Sequence, residues 1–249
     1  MKRLLGVLLL GLFPAAPVFA AELTVAAAPS SREALEELAA TFQQDTGHQV
    51  KFVFASSGKL FIQLRNGSPC DLFFSADDVY PARLHAEGLA EKPRRYAQGR
   101  LVLWASKASG FAVERGLDLL GDAKVRKVAI ANPKLAPYGR AAEEALKANG
   151  TYQALASKLV LGENVSQAAH FTASGAADLG VLPLSLALTP ELSQKGRYVL
   201  VPASLHTAIA ADAAVMTAAP DKALARQFLA FATSERARPV WQRNGLAAK

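Results

Sequence analysis

The stretch LTVAAAPSSREALEELAATFQQDTG, residues 23–47, contains the change of period on which the fold turns. Residues 23–28 are a short unbroken run of small and apolar side chains ended by Pro29, the pattern of a strand. From residue 30 the apolar positions become Ala34/Leu35, Leu38/Ala39 and Phe42, the i, i+3/i+4, i+7 spacing of one helix face, and Gly47 stops it. A strand that runs directly into a helix is the repeating unit of an α/β protein.

Outward from this unit the pattern recurs. Residues 50–54 read as a second strand, followed by a helix from Ser57 that ends at Asn66-Gly67. Residues 71–76 are mostly apolar on both faces and read as a central strand; a helix from Asp77 and a strand over 100–105 follow. The unit then restarts, with strands over 128–131, 158–161 and 179–182 and helices over 139–149 and 164–174. A strand over 213–216 and helices over 221–233 and 234–244 close the chain, the last interrupted by Pro239. Those closing segments carry more apolar surface than the second group needs, which suggests a return to the first. The expectation is an α/β protein of two lobes with largely parallel sheets, 21–102 plus 213–249 forming the first lobe and 103–212 the second.

Residues 1–20 read as an export leader. Lys2 and Arg3 precede ten apolar residues, 4–13, and Val18-Phe19-Ala20 puts small side chains where a signal peptidase cuts. Ten residues cannot span a bilayer, which takes ~20. The mature chain of roughly 230 residues is long enough for two lobes of ~100 residues each, and the expected location is the periplasm. Loss of Lys2 and Arg3 lowers the formal charge of +7 by two. A charged fraction of 20% and a hydrophobic fraction of 51% exclude disordered and fibrous classes. The single cysteine, Cys70, rules out an internal disulfide, and no cysteine at the cleavage site means no lipid anchor of the lipoprotein kind. Lys and Arg are scattered without a long run or aromatic interleaving, so no nucleic-acid partner is expected.

The recurrent chemical feature is a strand that enters a helix through a small hydroxyl or amide residue. Ser30-x-x-Glu33 matches a capping box and Asn164-x-x-Gln167 its amide version; Ser56-Ser57-Gly58 and Pro137-Tyr138-Gly139 open two more helices. A helix start leaves backbone N–H groups unpaired and carries about half a positive charge, so it can hold an anion without Lys, Arg or metal. Capping boxes are ordinary punctuation, and each alone means little; four of them, two per lobe, favour an anion cleft.

Other chemistries fit less well. Ser56-x-x-Lys59 has the nucleophile spacing of penicillin-recognising enzymes, but Ser-Asp-Asn and Lys-Thr-Gly are missing. Gly58-Lys59-Leu60 lacks the first glycine and the hydroxyl of a phosphate loop. His48, His85, His170 and His206 are isolated, so no metal or cofactor is expected. Cys70, just before an apolar strand, reads as a small core residue.

Taken together, Val25-Ala26-Ala27-Ala28-Pro29-Ser30, Phe54-Ala55-Ser56-Ser57, Asp71-Leu72-Phe73-Phe74-Ser75-Ala76-Asp77, Asn132-Pro133 with Pro137-Tyr138-Gly139, and Gly162-Glu163-Asn164-Val165 resemble the periplasmic molybdate-binding proteins of bacterial ABC importers. The resemblance spans the mature chain. It implies a two-lobed periplasmic-binding-protein fold with a ligand cleft between the lobes. There a tetrahedral oxyanion, molybdate or tungstate, is held by hydroxyls and backbone N–H groups. Carried over by position, the donors fall on Ser30 and Ser57 with hydroxyl and N–H, and on Tyr138 and Val165 with N–H. A tyrosine that some members place in the cleft falls on Pro183, which has neither hydroxyl nor N–H to give. The resemblance also implies a monomer that delivers its anion to an inner-membrane ABC permease and catalyses nothing. Sulfate or phosphate on the same scaffold, and a Ser56/Lys59 acyl-transfer hydrolase, are the alternatives.

Overall fold

Strand β1 (Glu22–Ala27) lies inside the first sheet, paired in parallel with β2 (Gln49–Phe54) on one side and β3 (Leu72–Phe74) on the other. The structure is a computed structural model describing residues 21–248, so the leader expected over 1–20 lies outside the described residues. Side-chain parity divides this sheet between two cores. Leu23, Val25 and Ala27 of β1 and Leu72 and Phe74 of β3 face α1 (Arg32–Thr46), whereas Ala26 and Phe73 face α2 (Ser57–Arg65) and α3 (Val79–Ala86). Burial on both faces explains why β1 and β3 read as continuous apolar runs.

The chain continues through β4 (Arg94–Gly99) and, after Arg100 alone, into β5 (Leu101–Ser106) of the second sheet. There follow β6 (Val128–Ala131), α4 (Pro137–Ala148), α5 (Tyr152–Leu155), β7 (Leu159–Gly162), α6 (Val165–Ala173) and β8 (Leu179–Pro183). Then come α7 (Leu184–Ala187), α8 (Pro190–Lys195) and β9 (Gly196–Leu200). The chain returns to the first sheet as β10 (Ile209–Val215) and ends in α9 (Lys222–Ala232) and α10 (Arg238–Arg243). Strand order is β2-β1-β3-β10-β4 in the first sheet and β7-β6-β8-β5-β9 in the second. The closing helices do return to the first sheet: Phe228 of α9 packs edge-on to Phe42 of α1 at 5.1 Å, and Trp241 of α10 lies 4.8 Å from Tyr96 of β4.

Several expectations need correction. The sheets are mixed rather than largely parallel, because β10 runs antiparallel to β3 and β4, and β5 antiparallel to β8 and β9. The crossings also sit earlier than the expected boundaries after 102 and 212: Leu101 and Val102 belong to the second sheet, and 209–212 to the first. Asp212 hides the true start of β10, since a charge breaks its apolar run; a bulge between Ala211 and Asp212 and an ion pair to Arg95 accommodate it. Strands β4 and β9 carry no clear strand signal in the sequence. Both are edge strands with exposed charges at Arg94, Arg95 and Arg197, and an edge need not alternate cleanly. The last helix begins at Arg238, which puts Pro239 in its first turn, where a missing N–H costs nothing.

Candidate functional site

The four strands β1, β2, β6 and β7 each run into a helical turn at their carboxyl ends, and each turn carries one sequence-selected residue. β1 and β2 are neighbours in one sheet, β6 and β7 in the other, so each lobe offers two helix starts side by side. In open α/β sheets this carboxyl edge is where ligands bind.

Ser30 is not the cap expected of it. A 3-10 turn over Pro29–Ser31 precedes α1, whose N-cap is Ser31, and no side chain caps the helix. The Ser30-x-x-Glu33 box therefore does not form; the Ser31 hydroxyl donates to Ala28 O at 2.8 Å instead. This leaves the Ser30 hydroxyl, on a residue only 5% exposed, uncommitted to a cap and close to the Tyr138 phenol of the other lobe, whose ionisation it eases against the effect of burial.

Ser57 is the first residue of α2 and is fully buried. Its Oγ accepts the Ala76 N–H at 3.0 Å, which occupies a lone pair and leaves the hydroxyl proton available to donate. Next to it, the Gly58 N–H donates to Leu135 O at 2.8 Å, joining the first lobe to the loop that leads into α4. Only glycine fits there: a Cβ would lie 2.7 Å from Leu135 O and 2.7 Å from Tyr80 Oη.

Tyr138 follows Pro137 in the first turn of α4, and its ring lies against the crossing at Gly99, where a Cβ would collide with the phenol oxygen. Burial pushes the Tyr138 phenol well above its ordinary range, so it stays a neutral hydroxyl. Val165 opens α6 behind Asn164, whose Oδ1 takes the N–H groups of Ser166 and Gln167 at 2.9 and 3.1 Å. The amide version of the capping box is present with a shift of one residue, since Gln167 Oε1 accepts from Glu163 N–H rather than from Asn164. For the N–H groups of Ser30, Ser57, Tyr138 and Val165 no acceptor occurs among the described residues.

The nearby cations are committed elsewhere. Arg32 stacks on Phe54 at 3.7 Å and pairs with Glu36, Lys59 pairs with Glu163 at 2.5 Å, and Arg140 pairs with Asp77. Ser56 is 2% exposed and its hydroxyl has no partner among the described residues, so no Ser56–Lys59 hydrogen bond forms. Cys70 is buried, accepts from Ala26 N–H at 3.3 Å and donates to Leu72 O at 2.8 Å; burial pushes its thiol up to about 11. Among the described residues no group of three His, Cys, Asp or Glu side chains is placed to hold a metal ion. Pro183 ends β8 opposite Leu101, buried at the second sheet's junction with α7.

Sequence reasoning missed contacts between the lobes, among them Gly58 with Leu135, Lys59 with Glu163, Arg140 with Asp77 and Tyr80, and Ser30 with Tyr138. No local pattern marks them, because the partners lie far apart in the chain.

Residues 23–247 match the family described as bacterial extracellular solute-binding protein. The molybdate-binding protein ModA of Azotobacter vinelandii is 36% identical over 223 residues, 89% of this chain and 88% of that protein. Its counterpart from Rhodobacter capsulatus is 35% identical over 93% of this chain and 90% of its own length. The solved Azotobacter vinelandii periplasmic molybdate-binding protein superposes with a TM-score of 0.86 at 34% identity, covering 91% of this chain and 99% of that one.

Proposed function

The chain belongs to the bacterial extracellular solute-binding proteins, and from that membership we propose that it captures molybdate between its two lobes and hands it to an ABC-type importer. The observation that carries this reading is the set of four helix starts, two from each lobe, whose N–H groups have no acceptor among the described residues. We assign the anion contacts to the hydroxyl and N–H of Ser30 and Ser57 and to the N–H groups of Tyr138 and Val165. Tungstate, a similar tetrahedral dianion, is assigned to the same donors.

The energetics permit tight binding without a counter-charge. About six charge-assisted hydrogen bonds at ~1.5–3 kcal/mol each give a gross ~9–18 kcal/mol, against an association cost of ~4–15 kcal/mol. Neutral donors also suit a carrier, because no salt bridge has to be broken when the anion passes to the permease. The mature protein is proposed to act as a periplasmic monomer after removal of residues 1–20, and its role is carriage rather than catalysis.

Calorimetry with molybdate, tungstate, sulfate and phosphate tests the assignment. Fixed donors sized for the larger oxyanion cannot all reach sulfate, and each unmade bond costs ~1–3 kcal/mol, so molybdate should bind at least roughly a hundredfold more tightly. Sulfate binding as tight as molybdate would overturn the reading in favour of a sulfate carrier on the same scaffold.

A further inference from the structure

We propose that Arg140 is a positioning residue for anion capture: reaching from α4 across the cleft, it latches onto Asp77 and Tyr80 and holds the two pairs of helix starts in register. The proposal rests on the anion-carrier reading above, and its contacts stand independently of that reading. Arg140 Nη2 donates to Asp77 Oδ2, Nη1 donates to Tyr80 Oη at 3.3 Å, and the guanidinium carbon lies 5.4 Å from the centre of the Tyr80 ring.

The first lobe prepares the acceptor by itself. Asp77 Oδ1 receives the Ser75 hydroxyl at 2.8 Å and the Tyr80 N–H at 3.2 Å, which fixes the carboxylate and leaves Oδ2 for the other lobe. Phe61 stacks on Tyr80 at 5.2 Å and holds the phenol where Arg140 meets it. The latch also lies beside the donors. Arg140 is two residues beyond Tyr138, and Tyr80 Oη borders Gly58, the neighbour of Ser57. Opening the latch therefore separates Ser57 from Tyr138.

Burial distinguishes this pair from a second ion pair across the cleft, Lys59–Glu163. Both side chains of Lys59–Glu163 are 46% exposed, so solvent screens it. The Asp77 side chain is 9% exposed and that of Arg140 34%, so their pairing is less screened, and losing one partner strands the other. Burial alone would lower the Arg140 pKa, but Asp77 and Tyr80 outweigh it and raise it. With its charge met by Asp77, Arg140 adds little net attraction for the anion; its effect is on how long the lobes stay closed.

The test measures molybdate association and dissociation for the full mature chain, for Arg140→Gln, for Asp77→Asn and for the double variant. A latch predicts about tenfold faster dissociation in each single variant with association unchanged. The double variant should be no worse than the weaker single, and Arg140→Lys should restore part of the loss. Fully additive losses, unchanged dissociation, or tighter binding by Asp77→Asn would overturn it, the last because it would mean that Arg140 grips the anion directly.

A second measurement needs no ligand. Spin labels placed at Ile62 and Leu161, exposed residues on opposite lobes, should move apart in Arg140→Gln relative to the unaltered background. Identical distances would overturn the latch even if the chain bound neither oxyanion, whereas failure of the parent protein to bind molybdate with the label shift intact would count against the carrier reading alone. Arg140→Gln leaves the Asp77 bonds within the first lobe in place, so it carries the test if Asp77→Asn does not fold.

Discussion

The two serines differ in what their hydroxyls already do. Ser57 Oγ is held by the Ala76 N–H, so its proton has one free direction, and Ser57→Ala should weaken molybdate binding by ~1.5–3 kcal/mol. Ligand-free thermal stability should fall as well, by ~1–3 kcal/mol, since the substitution leaves the buried Ala76 N–H without its acceptor. Calorimetry paired with a melting curve checks both halves. For Ser30 the local pattern foretold a capping loss of ~1 kcal/mol in the ligand-free protein. The absence of that cap removes the expected loss. Ser30 instead meets the Tyr138 phenol, so Ser30→Ala and Tyr138→Phe should each weaken binding by ~1 kcal/mol and should not add. Additive losses in the double variant would mean that the two hydroxyls act separately.

At the scale of elements, β4 joins the two sheets and depends on one buried phenol. Tyr96 packs 5.1 Å from Phe74 and 4.8 Å from Trp241, and its hydroxyl donates to Ser75 O at 3.0 Å. Burial raises its pKa far above the ordinary value, as it does for Tyr138 in α4. The stability that Tyr96 contributes is thus complete below pH ~10, where an unfolded phenol ionises. It is lost as pH climbs toward the folded value, because the unfolded chain releases a proton that the folded chain keeps. Denaturant melts should therefore show stability falling above pH ~10, with a shallower fall in Tyr96→Phe. That variant should also lose ~1 kcal/mol at neutral pH with the hydrogen bond. An equal alkaline slope in both proteins would show that Tyr96 is not the group responsible.

For the whole molecule, closure depends on how near the lobes can come, and Gly58 marks the limit. Its N–H reaches Leu135 O, and a Cβ would stand 2.7 Å from that same oxygen. Gly58→Ala should therefore hold the lobes apart and weaken molybdate binding by tenfold or more, on the order of 1.4 kcal/mol. The alanine improves helix propensity by ~1 kcal/mol, but its Cβ also meets the Tyr80 phenol inside the first lobe, so the ligand-free protein should melt no later than the parent. Unaltered affinity in Gly58→Ala would show that this approach does not limit closure.

How much of this was legible in the sequence follows from the range of each interaction. The period change at Pro29, the apolar runs of β1 and β3, and the amide cap at Asn164 depend on residues a few places apart, and local pattern revealed all of them. The same was true of the strand-to-helix junctions that carry Ser30, Ser57, Tyr138 and Val165. The edge strands β4 and β9 are hidden because exposed charges mask their buried positions, and the start of β10, though not its end over 213–215, because Asp212 is met by Arg95, 117 positions away. The 3-10 turn that removes Ser30 from its capping role, the antiparallel crossing strands, and the contacts of Arg140 and Gly58 across the cleft were decided only by tertiary structure. A hydrogen bond between residues 63 positions apart, as between Arg140 and Asp77, leaves no trace in local composition, because only folding brings its two ends together.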